Sequence, residues 1–118
     1  MHDIAHLCKV FSSYRYNFQD ETSLQEGMAI ALTSHGIAFE REVRLNASSR
    51  PDFMIGSVAV EVKIKDTFAK FLRQADRYLA LEQVSALVVV GTPKWLPAVP
   101  KTLRDKPIYT VRLISSLL

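Results

Sequence analysis

The stretch that decides the fold is residues 51–63: Pro51-Asp52-Phe53-Met54-Ile55-Gly56-Ser57-Val58-Ala59-Val60-Glu61-Val62-Lys63. Gly56-Ser57 suits a two-residue type II′ hairpin, because that turn needs a positive φ at its first central position. Given the turn, the register follows. Ile55 faces Val58, Met54 faces Ala59, Phe53 faces Val60, and Asp52 faces Glu61. Side chains alternate along a strand, so Phe53 and Ile55 share a face with Val58, Val60 and Val62, which reads as the core. Asp52, Glu61 and Lys63 share the other face. Directly opposed Cβ atoms lie about 4.5–5.5 Å apart, and like charges so placed repel. A divalent cation between the two carboxylates relieves this, and Mg²⁺ is typically held by one or two carboxylates plus substrate phosphate. Lys63, two residues beyond Glu61, brings a positive charge to an attacking water or a phosphate. The competing reading is a solvated sheet face on which Glu61 pairs with Lys63 or Arg50.

Upstream, Ser23 followed by Glu26 fits a capping box, and Gly36 is a natural helix stop. The expected helix runs from Leu24 to His35, with Leu24, Met28, Ala31 and Leu32 as its apolar stripe. Phe39 to Leu45 has the β-branched and aromatic content of a strand. Downstream, Asp66 or Thr67 caps a helix to about Gln83, with Phe68, Phe71, Leu72, Ala75 and Leu79 inward. Ala86 to Val90 is a continuous apolar run, as in a strand buried on both faces. Gly91 to Pro107 carries Pro93, Pro97, Pro100 and Pro107 and reads as loop. Ile108 to Ile114 forms a last strand. Residues 3–11 predict a short amphipathic helix and Tyr14 to Phe18 an extended segment. Three successive strands are best made antiparallel, and a helical crossover then adds a parallel neighbour. The expectation is a single α/β domain over 1–118, an N-terminal arm or helix (1–20) ahead of a core (21–118), with a mixed sheet and helices on both faces.

Composition narrows the classes. With 118 residues, 48% hydrophobic and 23% charged, the chain can bury a core and is neither disordered nor low in complexity. Its longest apolar run is far too short for a bilayer, so no membrane partner is expected. One cysteine, Cys8, excludes internal disulfides and multi-cysteine metal sites. Without an export signal or paired cysteines, a reducing cytoplasm is the expected compartment. A net charge of +3 permits a nucleic-acid or phosphate partner without demanding one. No phosphate-binding glycine loop, Ser-His-Asp order or zinc spacing is present.

Pro51-Asp52 followed by Glu61-Val62-Lys63 resembles the signature of the PD-(D/E)XK nuclease superfamily, and the element order from Glu26 to about Ile114 is similar to its restriction-endonuclease-like αβββαβ core. Gln74 and Tyr78 match the Gln-x-x-x-Tyr motif of the branch with RecB-type and phage exonucleases. The resemblance implies that Asp52 and Glu61 coordinate Mg²⁺, with Mn²⁺ able to substitute, and that the Val62 carbonyl adds a ligand. It implies that Lys63 orients or activates water and that Glu26 contributes through a metal-bound water. It has Gln74 and Tyr78 hold DNA phosphate or active-site side chains. Glu26 reads equally as the capping glutamate of Ser23, and Tyr78 as a half-buried tyrosine with a bonded hydroxyl. A single Cys8 departs from relatives that ligate an iron–sulfur cluster.

Lys65, Lys70, Arg73 and Arg77 surround the end of the Lys63 strand and its following helix. Lys70, Arg73 and Arg77 form a basic stripe beside Gln74, suited to phosphate contact or equally to a solvated helix face. Tyr14-Arg15-Tyr16 either stacks on unpaired bases or packs on the domain or a partner chain. His2 and His6 have metal-compatible spacing but read as surface histidines of a terminal helix. Trp95 reads as a cover for the core. The resulting expectation is a small, stand-alone Mg²⁺-dependent nuclease cutting DNA with structural or no sequence specificity, with a homodimer as one arrangement for cutting both strands. The alternatives are a non-catalytic nucleic-acid-binding or assembly subunit on the same fold, and a mixed α/β protein with no nuclease function.

Overall fold

A computed structural model of the chain describes residues 3–114. The elements run α1 (Ile4–Ser12), α2 (Glu21–Ser34), β1 (Glu40–Arg41), β2 (Phe53–Ile55), β3 (Val58–Lys63), α3 (Phe68–Leu79), β4 (Ala86–Gly91), a 3₁₀ turn (Leu96–Ala98), β5 (Thr102–Leu103) and β6 (Lys106–Arg112). The strands form one mixed sheet in the order β1-β2-β3-β4-β6-β5. β1, β2 and β3 are antiparallel neighbours, while β3, β4 and β6 are parallel.

The turn between β2 and β3 forms as its sequence requires. Gly56 takes φ 58°, and Ile55, Met54 and Phe53 pair with Val58, Ala59 and Val60. Both faces of the sheet are covered. On one face Phe53, Ile55, Val58, Val60, Val62, Val88 and Val90 pack against Leu7 and Phe11 of α1 and Leu24, Met28 and Leu32 of α2. On the other, Met54, Ala59, Leu87, Val89 and Ile108 meet Phe71, Ala75, Tyr78 and Leu79 of α3. Each fully buried side chain of this size contributes roughly 1.5–3 kcal/mol. Residues 3–20 therefore belong to the same packed unit; Leu7, Val10 and Phe11 are buried, and the segment is no free arm. His2 lies outside the described residues. No described helix is long and apolar enough to cross a membrane.

Five boundaries depart from the sequence expectation, each for a local reason. α2 begins at Glu21 because Asp20, not Ser23, is the cap; its carboxylate accepts the Ser23 N–H at 2.7 Å. The strand expected over 39–45 shrinks to Glu40–Arg41 because Glu42 turns to φ 53°. α3 stops at Leu79, short of Gln83, and the Lys106 ammonium donates to the Leu81 and Val84 carbonyls that follow it, at 2.8 and 2.6 Å. The proline-rich segment holds the short hairpin β5–β6, closed by Arg104 and Asp105 at φ 54° and 61°, a conformation few non-glycine residues adopt. That hairpin starts the last strand at Lys106, and it ends at Arg112 instead of Ile114.

Candidate active site

Glu61 and Lys63 belong to β3, in the middle of the sheet, and face α3. Lys63 ends the strand beside Gly91, and a Cβ on Gly91 would fall 1.8 Å from the Lys63 carbonyl oxygen. Only glycine permits so close an approach, so Gly91 fixes where Lys63 stands.

The Asp52–Glu61 pairing exists, but by bonds that a regular ladder would not make. The β2–β3 ladder ends at Phe53 and Val60. Beyond it the Asp52 N–H donates to Glu61 Oε1 at 3.2 Å, and the Val62 N–H donates to Asp52 Oδ2 at 2.7 Å. The two acids are thus crossed over each other's backbone. Glu61 is 4% exposed and Lys63 8%. Lys63 Nζ lies 3.4 Å from Glu61 Oε2 and 3.2 Å from Asp66 Oδ2.

Helix α3 reaches the pair through Tyr78, whose hydroxyl donates to Glu61 Oε1 at 2.9 Å. A phenol has one proton to give, so it must accept from Gln74 Nε2, at 3.1 Å. That fixes the carboxamide: Gln74 Oε1 points away from Tyr78, buried and without a partner. Gln74 lines a cavity of about 300 Å³ together with Lys63, Asp66, Lys70, Arg73 and Arg77. Among the described residues Lys70, Arg73 and Arg77 form no ion pair. Trp95 braces the rim, stacked on Phe71 at 5.2 Å with its Nε1 donating to the Asp66 carbonyl at 3.1 Å.

The electrostatics follow from burial. Burial pushes the Asp52 carboxyl above the usual carboxylate range, against the Val62 N–H that favours its charged form. Burial and then the Asp52 charge push Glu61 up as well. Burial alone would lower the Lys63 ammonium, but Glu61 and Asp66 beside it outweigh that and hold it above its ordinary value. The two acids beside it thus favour the charged form of Lys63.

Most of the residues expected at the site do meet: Asp52, Glu61, Lys63, Gln74 and Tyr78 form one bonded chain, with Lys70, Arg73 and Arg77 around the adjoining cavity. Two do not. Glu26 is exposed and turned to Arg41, at 2.9 Å, with no bond to the acidic pair. Lys65 is exposed and does not line that cavity. The acid of α2 that approaches the site is Glu21, whose Oε2 accepts the Ile64 N–H at 3.3 Å and whose charge adds to the upward push on Asp52. The signal was legible: Glu21 is in step with Leu24 and Met28 on the core-facing stripe, and Glu26 is not. Asp66, the second partner of Lys63, was read only as a cap.

The donor set bears on whether a cation fits. Among the described residues no three His, Cys, Asp or Glu side chains converge as a metal cage. Mg²⁺ needs no such cage, being held by one or two carboxylates plus phosphate and water. Among the described residues nothing donates a hydrogen bond to Asp52 Oδ1, and Glu61 Oε2 has only the Lys63 ammonium beside it. The Val62 carbonyl lies on the same strand edge as its N–H, where the ladder has already ended. All three are hard oxygen donors, the type that Mg²⁺ takes. Comparison with family models, with curated proteins and with solved structures finds no match in any of the three.

Proposed function

We propose that the chain is a divalent-cation-dependent nuclease with a restriction-endonuclease-like core of the PD-(D/E)XK kind, hydrolysing phosphodiester bonds in DNA. The observation that carries this reading is the continuous chain Gln74–Tyr78–Glu61–Asp52 beside a buried, charged Lys63. A solvated sheet face would not bury Glu61 beside a half-buried Asp52 and then use a tyrosine and a glutamine to aim it.

Mg²⁺, or Mn²⁺ in its place, held by Asp52, Glu61 and the Val62 carbonyl, would polarise the phosphoryl oxygen and offset charge on the leaving oxygen. Tyr78 holds Glu61 Oε1 and so leaves Oε2 to face the substrate. Gln74 holds Tyr78 in the one orientation that allows this. Lys63, kept protonated, donates to the attacking water or a phosphate oxygen and stabilises the charge that develops there. Lys70, Arg73 and Arg77 hold flanking phosphates without reading sequence. Water adds to phosphorus, the bond from phosphorus to the 3′ oxygen breaks, and that oxygen leaves with a proton as a 3′-hydroxyl, leaving a 5′-phosphate.

The test is cutting of single-stranded, duplex and branched DNA with Mg²⁺, with Mn²⁺ and with chelator. Cutting that requires the cation and falls about 10²–10³-fold in Lys63→Ala, and at least as far in Glu61→Gln, is expected. Cutting that survives both substitutions overturns the proposal. DNA binding with no cutting under any cation would make the chain a non-catalytic nucleic-acid-binding subunit.

A further inference from the structure

A second concavity, of about 610 Å³, is walled by the segment joining α1 to α2 and by the end of β6. Tyr14, Arg15, Tyr16, Phe18 and Arg112 carry its chemistry. Its volume falls in the ordinary range for ligand sites.

Its place in the fold ties it to the acidic pair. Lys63, Gly91 and Arg112 stand in one register row at the carboxyl ends of β3, β4 and β6. Ligands of α/β sheets bind outside the carboxyl ends of parallel strands. Gln19 of the cavity wall precedes Glu21 by two residues, and Glu21 is bonded to Ile64, next to Lys63. Each cavity therefore has one lining residue in that row, Lys63 in the first and Arg112 in the second.

The wall is flat, aromatic and held in place. The Tyr14 and Tyr16 rings stack at 6.3 Å with 24° between their planes. Tyr14 also meets His35 edge-on at 5.8 Å. Tyr16 lies so close to Gly27 that a Cβ there would come within 2.7 Å of its ring. The Tyr16 hydroxyl is buried and has no hydrogen-bond partner among the described residues. Arg15 and Arg112 are exposed and form no ion pair among the described residues, and no acidic side chain lines the cavity.

Aromatic faces beside free guanidinium groups suit a base joined to a phosphate. A base paired within a duplex cannot enter a concavity. We propose that this cavity holds unpaired nucleotides of a DNA strand adjoining the phosphate at Lys63, so that the preferred substrate carries a single-stranded end or branch. The choice of DNA as the ligand rests on the nuclease reading of the Asp52–Glu61 site.

The test is fluorescence anisotropy of the whole chain, in chelator, with labelled oligothymidine, a blunt duplex of equal length and the same duplex with a single-stranded overhang. Oligothymidine and the overhang should bind at least fivefold more tightly than the blunt duplex. Tyr14→Leu combined with Arg15→Ala should abolish that preference and leave blunt-duplex affinity unaltered. Equal affinity for all three DNAs overturns the proposal, as does an equal loss on all three in the double variant, or mononucleotide binding as tight as that of the strand. The assay contains no cleavage step. Strand preference without cation-dependent cutting would keep the cavity and remove the nuclease, whereas cutting without strand preference would do the reverse.

Discussion

The two faces of the central sheet are made by the same strands and are put to opposite uses. Toward α2, β3 presents Val58, Val60 and Val62, all buried against apolar side chains. Toward α3, the alternate residues are Ala59, Glu61 and Lys63, equally buried, but the last two are ionisable and bonded to Asp52, Tyr78 and Asp66. Both faces bury an apolar cluster, but along β3 the first face is apolar throughout. The other holds charges that burial disfavours, and it depends on the first for the rigidity that keeps them there.

Substitutions that treat the faces differently should separate the two roles. The largest expected effect is on the apolar face. Met28→Ala on α2, fully buried, should lower stability by about 2–5 kcal/mol in urea titration while leaving DNA cutting per folded molecule unchanged. A matching loss of specific activity would break the comparison. Next, Gly91→Ala should cost roughly 1–3 kcal/mol, because the new Cβ meets the Lys63 carbonyl. This variant should also lose cutting, as Lys63 is displaced.

The third effect has the opposite sign. Asp52 and Glu61 are pushed up by burial, so the folded chain binds more protons than the unfolded chain between the ordinary carboxylate range and their raised values. Stability should therefore fall as pH rises through that window. Glu61→Gln should flatten the fall and leave the cation-free protein more stable at neutral pH by on the order of 1 kcal/mol, measured as urea midpoints across pH in chelator. A steeper fall in the variant would refute the electrostatic account. The smallest effect separates two glutamates of α2. Glu26→Ala removes only an exposed ion pair with Arg41 and should change stability by less than about 1 kcal/mol and cutting not at all. Glu21→Ala should reduce cutting. The reverse result would return the helix's role at the site to Glu26.

Much of this was legible because residues 51–63 are strongly periodic and their turn residues admit one register. Glycine at 56 placed Asp52 across from Glu61, and the four-residue spacing put Gln74 and Tyr78 on one helix face. The crossed bonds of Asp52 and Glu61 were not legible, since they begin where the regular ladder stops. Reading Ser23 as the cap hid Glu21, for Asp20 competes for the same N–H groups and wins. Arg104 and Asp105 close a tight turn without glycine, so the β5–β6 hairpin gave no signal among the prolines.

Trp95, the chain's sole tryptophan, is wedged between Phe71 and the Asp66 carbonyl, and Asp66 is the residue that shares the Lys63 ammonium. Nature has thus installed an optical gauge two contacts from the Lys63 ammonium. Any ligand that draws Lys63 away from Asp66 should register in the indole emission of the unlabelled protein, with no dye or engineered probe.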